Sequence, residues 1–265
     1  MTTSRVIRAD DRYHWSNEWL ESWQSFPMAG NFDLRTGAHG LLMVHNDDIV
    51  ESGEGLDRHR HQDVEVVTWV VEGALEHRDS GGNTGVLTPG TVQVMSAGSG
   101  VDHSERNAAA RSTHERLRVI QMWVPPEYPG GKPAYAERDV ASLLASGELI
   151  ILASGTPGTD PGVPHIRNPY VTLHAARLTG GASISLPEAR FGHMFVVTGR
   201  VDVDGDQLSA GDALRTVAAG AGLTVTSLDD CELLFWQMSR GFAGQTWAAT
   251  PADVESPHRV TGVAP

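Results

Sequence analysis

The chain of 265 residues is 40% hydrophobic and 20% charged, enough apolar material for a sizeable core and too little charge for wholesale disorder. Its 20 basic and 33 acidic residues leave a formal charge of −13 at pH 7. That balance repels phosphate backbones, and with no basic patch among the scattered arginines it excludes direct nucleic-acid binding.

The opening run Met1-Thr2-Thr3-Ser4-Arg5-Val6-Ile7-Arg8 lacks the apolar core of a signal peptide. No stretch approaches the ~20 apolar residues of a membrane span, so a cytoplasmic protein without membrane contact is expected. Near the start, Trp15–Trp23 carries a weak helical signal. Beyond it, 29 glycines and 14 prolines punctuate short runs rich in Val, Ile, Leu and Thr. Strands are expected over Val64–Val71, Gly90–Met95, Leu117–Val124, Leu149–Ala153, Val171–Leu178, Phe195–Val203 and Leu223–Ser227. Many short strands at this spacing predict an all-β sandwich or barrel. The one firm helix is Asp139–Ser146, with Asp139 as cap, Gly147 as stop, and Val140, Leu143 and Leu144 on one face. Pro125-Pro126, Pro129-Gly130-Gly131 and Pro133 precede it, and two domains are expected, 1–135 and 136–265.

The halves resemble each other. Thr68–His77 and Met194–Val203 both read strand, glycine turn, strand, about Gly73 and Gly199, and each is followed by Leu-x-x-Gly, at Leu87–Gly90 and Leu208–Gly211. A duplicated β-barrel is the reading. Cys231, the single cysteine, excludes an internal disulfide and is expected inside a buried strand.

The chemistry concentrates in the first half. In a strand, residues i and i+2 share a face, so His59 and His61 project together. His103 and Glu105 repeat the spacing. Two such pairs on facing strands can converge as three nitrogens and one carboxylate oxygen around an Fe, Zn, Ni, Cu or Mn ion. Four protein ligands in an octahedral frame leave two positions open for substrate or dioxygen. His77 reads as a surface or strand-end histidine. Gln93 and Met95 share a face leading toward His103 and either line the cavity or fill the barrel, while Gln121 and Trp123 read as core. In the second half His193 stands without partner ligands.

Gly-x5-His-x-His-x3-Glu-x7-Gly (Gly53 to Gly73) and Gly90-x12-His103-x3-Asn107 resemble the two cupin motifs. The second is two residues longer than usual and has a glutamate two after its histidine, as in the pirin family. The likeness extends through Arg8–Asp11, Glu72–Ser80, Gly82–Gly85, Gln93–Gly100 and Gln121–Trp123, and is weaker in the second half. It implies two tandem jelly-roll cupin barrels with minor helices, the first metal-binding and the second degenerate, without metal. It implies one mononuclear metal, Fe(II) before Cu, Ni, Zn, Mn or Co, held by His59, His61, His103 and Glu105. Glu65 would then lie outside the ligand set and orient a histidine by hydrogen bonding. The implied activity is that of a quercetin 2,3-dioxygenase acting on a flavonol and O₂, with Glu105 also catalytic as a base. The alternative is an iron-dependent redox-sensing regulator that binds a protein partner; a zinc isomerase or hydrolase is a third reading. Arg60 stands where proline is common between the two histidines, an aromatic pair is reduced to Asn31-Phe32, and the tail from Gly241 to Pro265 carries no assigned role.

Overall fold

The computed structural model of the chain describes residues 3–27, 34–219 and 222–242. The departure at Asn31-Phe32 and the tail beyond Phe242 lie outside the described residues. In chain order the first strands are β1 (Thr3–Ile7), β2 (Tyr13–Ser16), β3 (Leu20–Gln24), β4 (Val44–Val50), β5 (Gly55–His61), β6 (Glu65–Glu72) and β7 (Leu75–Asp79). They continue with β8 (Thr84–Leu87), β9 (Thr91–Ser96), β10 (Val101–Asn107), β11 (Leu117–Val124), β12 (Ala134–Asp139), β13 (Ile150–Ser154) and β14 (Val171–Leu178). The remainder are β15 (Ser183–Ser185), β16 (Ala189–Thr198), β17 (Arg200–Val203), β18 (Asp206–Ser209), β19 (Ala213–Ala219), β20 (Thr224–Ser227) and β21 (Cys231–Met238). Two single-turn α-helices interrupt them, α1 (Leu34–Gly37) and α2 (Ala141–Leu144).

The strands build two barrels, each from a large sheet and a four-stranded one. The first combines β12-β9-β6-β11-β4-β3-β2 with β5-β10-β7-β8, and the second β1-β19-β16-β21-β14-β13 with β15-β20-β17-β18. The expected all-β, two-barrel cupin architecture is therefore the one that forms. Alternation follows from the pleat: along β10, Val101, His103, Glu105 and Asn107 are buried and the residues between them half-buried. Apolar clusters fill both ends of the first barrel around its polar site, one including Val66, Met95 and Val101 and the other Val70, Leu75 and Leu117.

The main core lies between the barrels. Both large sheets are apolar on their outer faces as well. Val67, Trp69, Ile120 and Met122 of the first pack against Leu173, Phe195, Leu234 and Trp236 of the second. Polar ties run through this core: the Trp69 indole donates to Glu232 Oε1 at 2.7 Å, and Arg118 forks onto Asp47 at 2.9 and 2.8 Å while donating to Val197 O at 3.0 Å. Cys231 is buried, as its apolar run predicts.

Several expectations are corrected. Trp15–Trp23 is no helix but part of the β2–β3 hairpin, because the Asn17 carboxamide oxygen accepts from the amides of Trp19 and Leu20 at 2.9 and 2.7 Å and closes a turn. Gly73 does not close a hairpin. It is the corner at which the chain leaves the large sheet for the small one, and Gly199 repeats it. At Gly73 φ is +78°, and a Cβ would lie 2.5 Å from Arg116 O, so only glycine fits the corner. The Asp139–Ser146 helix is a single turn, with Asp139 Oδ1 accepting from Ala141 N at 2.9 Å. Val140 and Leu144 are buried, whereas Leu143 is 41% exposed and does not share their face. A division at residue 135 would cut β12, which pairs with β9 over Ala134–Asp139. The first strand, β1, crosses to the second barrel and pairs with β19.

Candidate metal centre

The small sheet of the first barrel positions the site. β5 and β10 run antiparallel with His59 opposite His103 and His61 opposite Val101, and the register shifts between His103 and Glu105. Such a bulge re-aims the side chains beyond it. Gly55 lets β5 come this close: a Cβ there would lie 2.2 Å from the carbonyl oxygen of Glu105. On the other flank β7 places His77 opposite Glu105 and Asp79 opposite His103.

Two overlapping donor groups result. The ligand atoms of His59, His61 and His103 lie within 4.8 Å of one another, and so do those of His77, His103 and Glu105. His103 belongs to both, and Glu105 falls in the second group with His77. Donors about 2.1 Å from one ion stand roughly 3 to 4.3 Å apart, so small adjustments would close either group. The three rings of the first group have centroids 4.4 to 4.9 Å apart.

The donors suit a cation. Both ring nitrogens of His103 and Oε1 of Glu105 are buried without a hydrogen-bond partner, although His103 is 1% and Glu105 5% exposed. Orphaned polar atoms are rare in protein interiors, and an ion would satisfy one ring nitrogen of His103 and the Glu105 oxygen. Burial, with His59, His61 and His77 close by, pulls the His103 pKa down to about 3, and burial beside His59 pulls His61 down to about 4. Both imidazoles are therefore neutral at pH 7, with lone pairs available. His59 Nδ1 donates to Asp57 O at 2.8 Å, which leaves its Nε2 free to ligate. Burial also raises the Glu105 carboxyl.

The supporting side chains differ from expectation. His77 is fully buried, not at the surface: Gln93 Nε2 donates to its Nδ1 at 3.2 Å, and its ring packs on His103 and Tyr135 at 5.4 and 5.0 Å. The Glu72–Ser80 motif held the signal, because His77 and Asp79 repeat the i, i+2 spacing of the other pairs. Gln121 and Trp123 are not plain core either. Gln121 Nε2 donates to Glu105 Oε2 at 2.7 Å and Gln121 Oε1 accepts from the Trp123 indole at 3.2 Å, while Trp123 meets the His61 ring edge-on at 4.9 Å. Of the Gln93–Met95 pair, Gln93 joins the polar network and Met95 fills an apolar cluster. Glu65 orients no histidine: its Oε2 accepts from Ser96 Oγ at 2.6 Å and from Arg167 N at 3.1 Å, tying the first barrel to the second half. Arg60 bends back to Ser99 O at 3.2 Å.

Behind Glu105, toward Asp48 and Gln121, lies a cavity of about 40 Å³ with space for more than one water. Burial pushes the Asp48 carboxyl up to about 7. Gln121→Leu removes the donor that holds Glu105, and metal affinity is expected to fall about 10- to 100-fold in a competitive chelator titration. An unchanged affinity would show that Gln121 does not orient the carboxylate.

The chain and its fold have close counterparts. Residues 5–124 match the family described as Pirin, and residues 165–238 match the quercetinase C-terminal cupin domain. A Mycobacterium tuberculosis protein, "Putative quercetin 2,3-dioxygenase Rv0181c", is 43% identical over 89% of this chain and 95% of its own length. The Escherichia coli protein named "Quercetin 2,3-dioxygenase" is 32% identical over 87% of this chain and 96% of its own. Among solved structures, Escherichia coli YhhW superimposes with a TM-score of 0.78 at 30% identity, over 89% of this chain and 97% of that one. A nickel(II) complex of the same bacterial pirin matches equally, with a TM-score of 0.78 at 30% identity over 90% of this chain and 100% of that one. With both halves matched and relatives above 30% identity along most of its length, the chain belongs to the pirin family.

Proposed function

We propose that this protein is a metal-dependent dioxygenase that opens flavonols of the quercetin type with O₂. The observation that carries the proposal is a donor set that is buried on one side and open on the other. His103 and Glu105 lie inside the barrel, while His59 and His61 are partly exposed at its mouth. We assign His59, His61, His103 and Glu105 as the ligands of one ion, with Fe(II) first and Ni, Cu, Zn, Mn or Co as alternatives. The nickel(II) complex of the Escherichia coli relative supports nickel as one of the alternatives. The first barrel is read as the metal-bearing domain; among the described residues, no comparable group of three metal-type side chains lies in the second. No helix of the described residues is long and apolar enough to cross a membrane.

The chain's own residues would divide the work. The half-buried edge formed by His59, His61 and Trp123 would offer the indole as a flat surface for an aromatic substrate. The buried carboxyl of Glu105, raised above the ordinary range and held at Oε2 by Gln121, would act as the base for the substrate's enolic hydroxyl only when its Oε1 is not ligating the ion. The metal, when bound, supplies Lewis-acid activation of the enolic oxygen and redox chemistry toward dioxygen. In the net reaction both oxygen atoms enter the product, the heterocycle opens and carbon monoxide leaves.

The test is oxygen consumption and carbon monoxide release by protein loaded in turn with Fe(II), Ni(II) and Cu(II), with quercetin as substrate. Uptake in proportion to bound metal is expected. No uptake above the free-metal control, with each metal bound stoichiometrically, would overturn the reading.

A further inference from the structure

A second cluster of unpartnered polar groups, sharing no residue with the metal donors, lies at the junction of the barrels. His45 on β4 and His193 on β16 face each other from the two large sheets with ring centroids 4.9 Å apart. Both are fully buried, and among the described residues no other residue hydrogen-bonds to any of their four ring nitrogens. Two arginines close the cluster. Arg215 sits across from His193 in the β16–β19 register and is 8% exposed; Arg12 is 6% exposed. An aromatic ring backs each side: Phe195 lies against His45 at 4.6 Å and under the Arg12 guanidinium at 4.9 Å, and Phe26 against His193 at 5.8 Å and under Arg215 at 4.2 Å.

The cluster is short of negative charge. Asp47 lies 3.8 Å from Arg12 but is already forked by Arg118, and Asp48, the other carboxyl near Arg12, is pushed toward its neutral form by burial. Among the described residues, Arg215 makes no ion pair; its Nη2 donates to Ser25 O at 2.7 Å. Three further polar atoms of these elements are buried without a partner: Arg12 Nε, Arg215 Nε and Ser25 Oγ. An uncompensated buried guanidinium surrounded by orphaned donors is costly.

We propose that the junction binds one small inorganic anion, of chloride size, held by Arg215, Arg12 and the ring N–H groups of His193 and His45. Divalent cations are excluded by the two guanidiniums. The close approach of the rings, with centroids 4.9 Å apart, favours a monatomic ion at their edges over a planar carboxylate or a tetrahedral oxyanion. Burial, with Arg12 and Arg215 near both rings, holds the two imidazoles well below the usual histidine range, and each neutral ring still offers one N–H donor. Because its donors come from both halves, the ion would act as a cross-link between the barrels. The proposal shares no residue with the metal centre and stands or falls separately from the dioxygenase reading.

The test pairs thermal melts with a bromide-substituted crystal. At constant ionic strength, with gluconate exchanged for chloride or bromide, the midpoint is expected to rise by about 3 °C per tenfold increase in halide above its dissociation constant. Arg215→Met should abolish that rise. A bromide anomalous peak should appear within about 3.5 Å of Arg215 Nε and a ring nitrogen of His193. Equal midpoints in gluconate and halide, a rise that survives Arg215→Met, or water or protein density in place of bromide would each overturn the proposal. A bromide peak without halide-dependent stability would overturn it as an adventitious ion only. If Arg215→Met fails to fold, the wild-type melts and the anomalous map decide.

Discussion

His103→Ala is expected to empty the metal centre. This histidine belongs to both donor groups, and both its ring nitrogens are buried without another partner. Loss of a residue that merely orients a ligand typically costs 10- to 100-fold in affinity, so loss of the shared ligand should exceed about 100-fold. Elemental analysis of protein purified with the metal should fall from about one ion per chain to a small fraction. The fold should survive, because β10 keeps its ladder to β5 and β7 and the apolar clusters on either side of the site contain no His103 atom. Far-ultraviolet circular dichroism checks this. His77→Phe is the informative companion: His77 Nδ1 is taken by Gln93 and its Nε2 lies 3.5 Å from Asp79, so stoichiometry should persist there. If His77→Phe empties the site and His103→Ala does not, the ligand assignment is wrong.

Asp47→Ala is expected to produce the largest loss of stability, about 3–5 kcal/mol. Asp47 is 5% exposed and is the carboxylate onto which Arg118 forks, with Arg12 3.8 Å away. Its removal would take from two guanidiniums of the junction their nearest carboxylate, which costs far more than an ordinary hydrogen bond. Measured against a total of roughly 5–15 kcal/mol for a folded domain, the change should be plain in a urea midpoint. Asp47→Asn retains an acceptor and the side-chain volume, so comparison of the two variants separates charge from hydrogen bonding. The exposed pair Arg200–Asp229 is the control, where Arg200→Ala should change little because solvent already screens both charges and Asp229 keeps its hydrogen bond from the backbone N–H of residue 200. Equal effects at the two sites would show that the junction gains nothing from its ion pair.

Much of the candidate site was legible because strand geometry is local. His59 and His61 share a face wherever a strand runs through them, and so do His103 and Glu105. His77 and Asp79 follow the same rule, but their meaning depends on β7 lying beside β10, a pairing of strands distant in sequence. Gln121 and Trp123 alternate like any core pair, and only the register of β11 in the sheet opposite brings them to Glu105 and His61. Glu65 was misread for the converse reason. Its motif position suggests a histidine partner, yet the closure of the second half places Arg167 N within its reach. Helix reading failed at Trp15–Trp23, where aromatic spacing imitated a helical face and the Asn17 turn overrode it.

The sequence by itself determined the alternation of faces, the glycine turn positions at Gly73 and Gly199, the duplicated all-β architecture and the two i, i+2 donor pairs. Each is set by the chain's own dihedral limits over a few residues. Only the tertiary structure decided which large-sheet faces meet, that β1 joins the second barrel, and that His45 and His193 stand together between two arginines. Those contacts join residues more than a hundred positions apart. They exist because each large sheet is apolar on both faces, and its outer face must be buried against its counterpart to leave water.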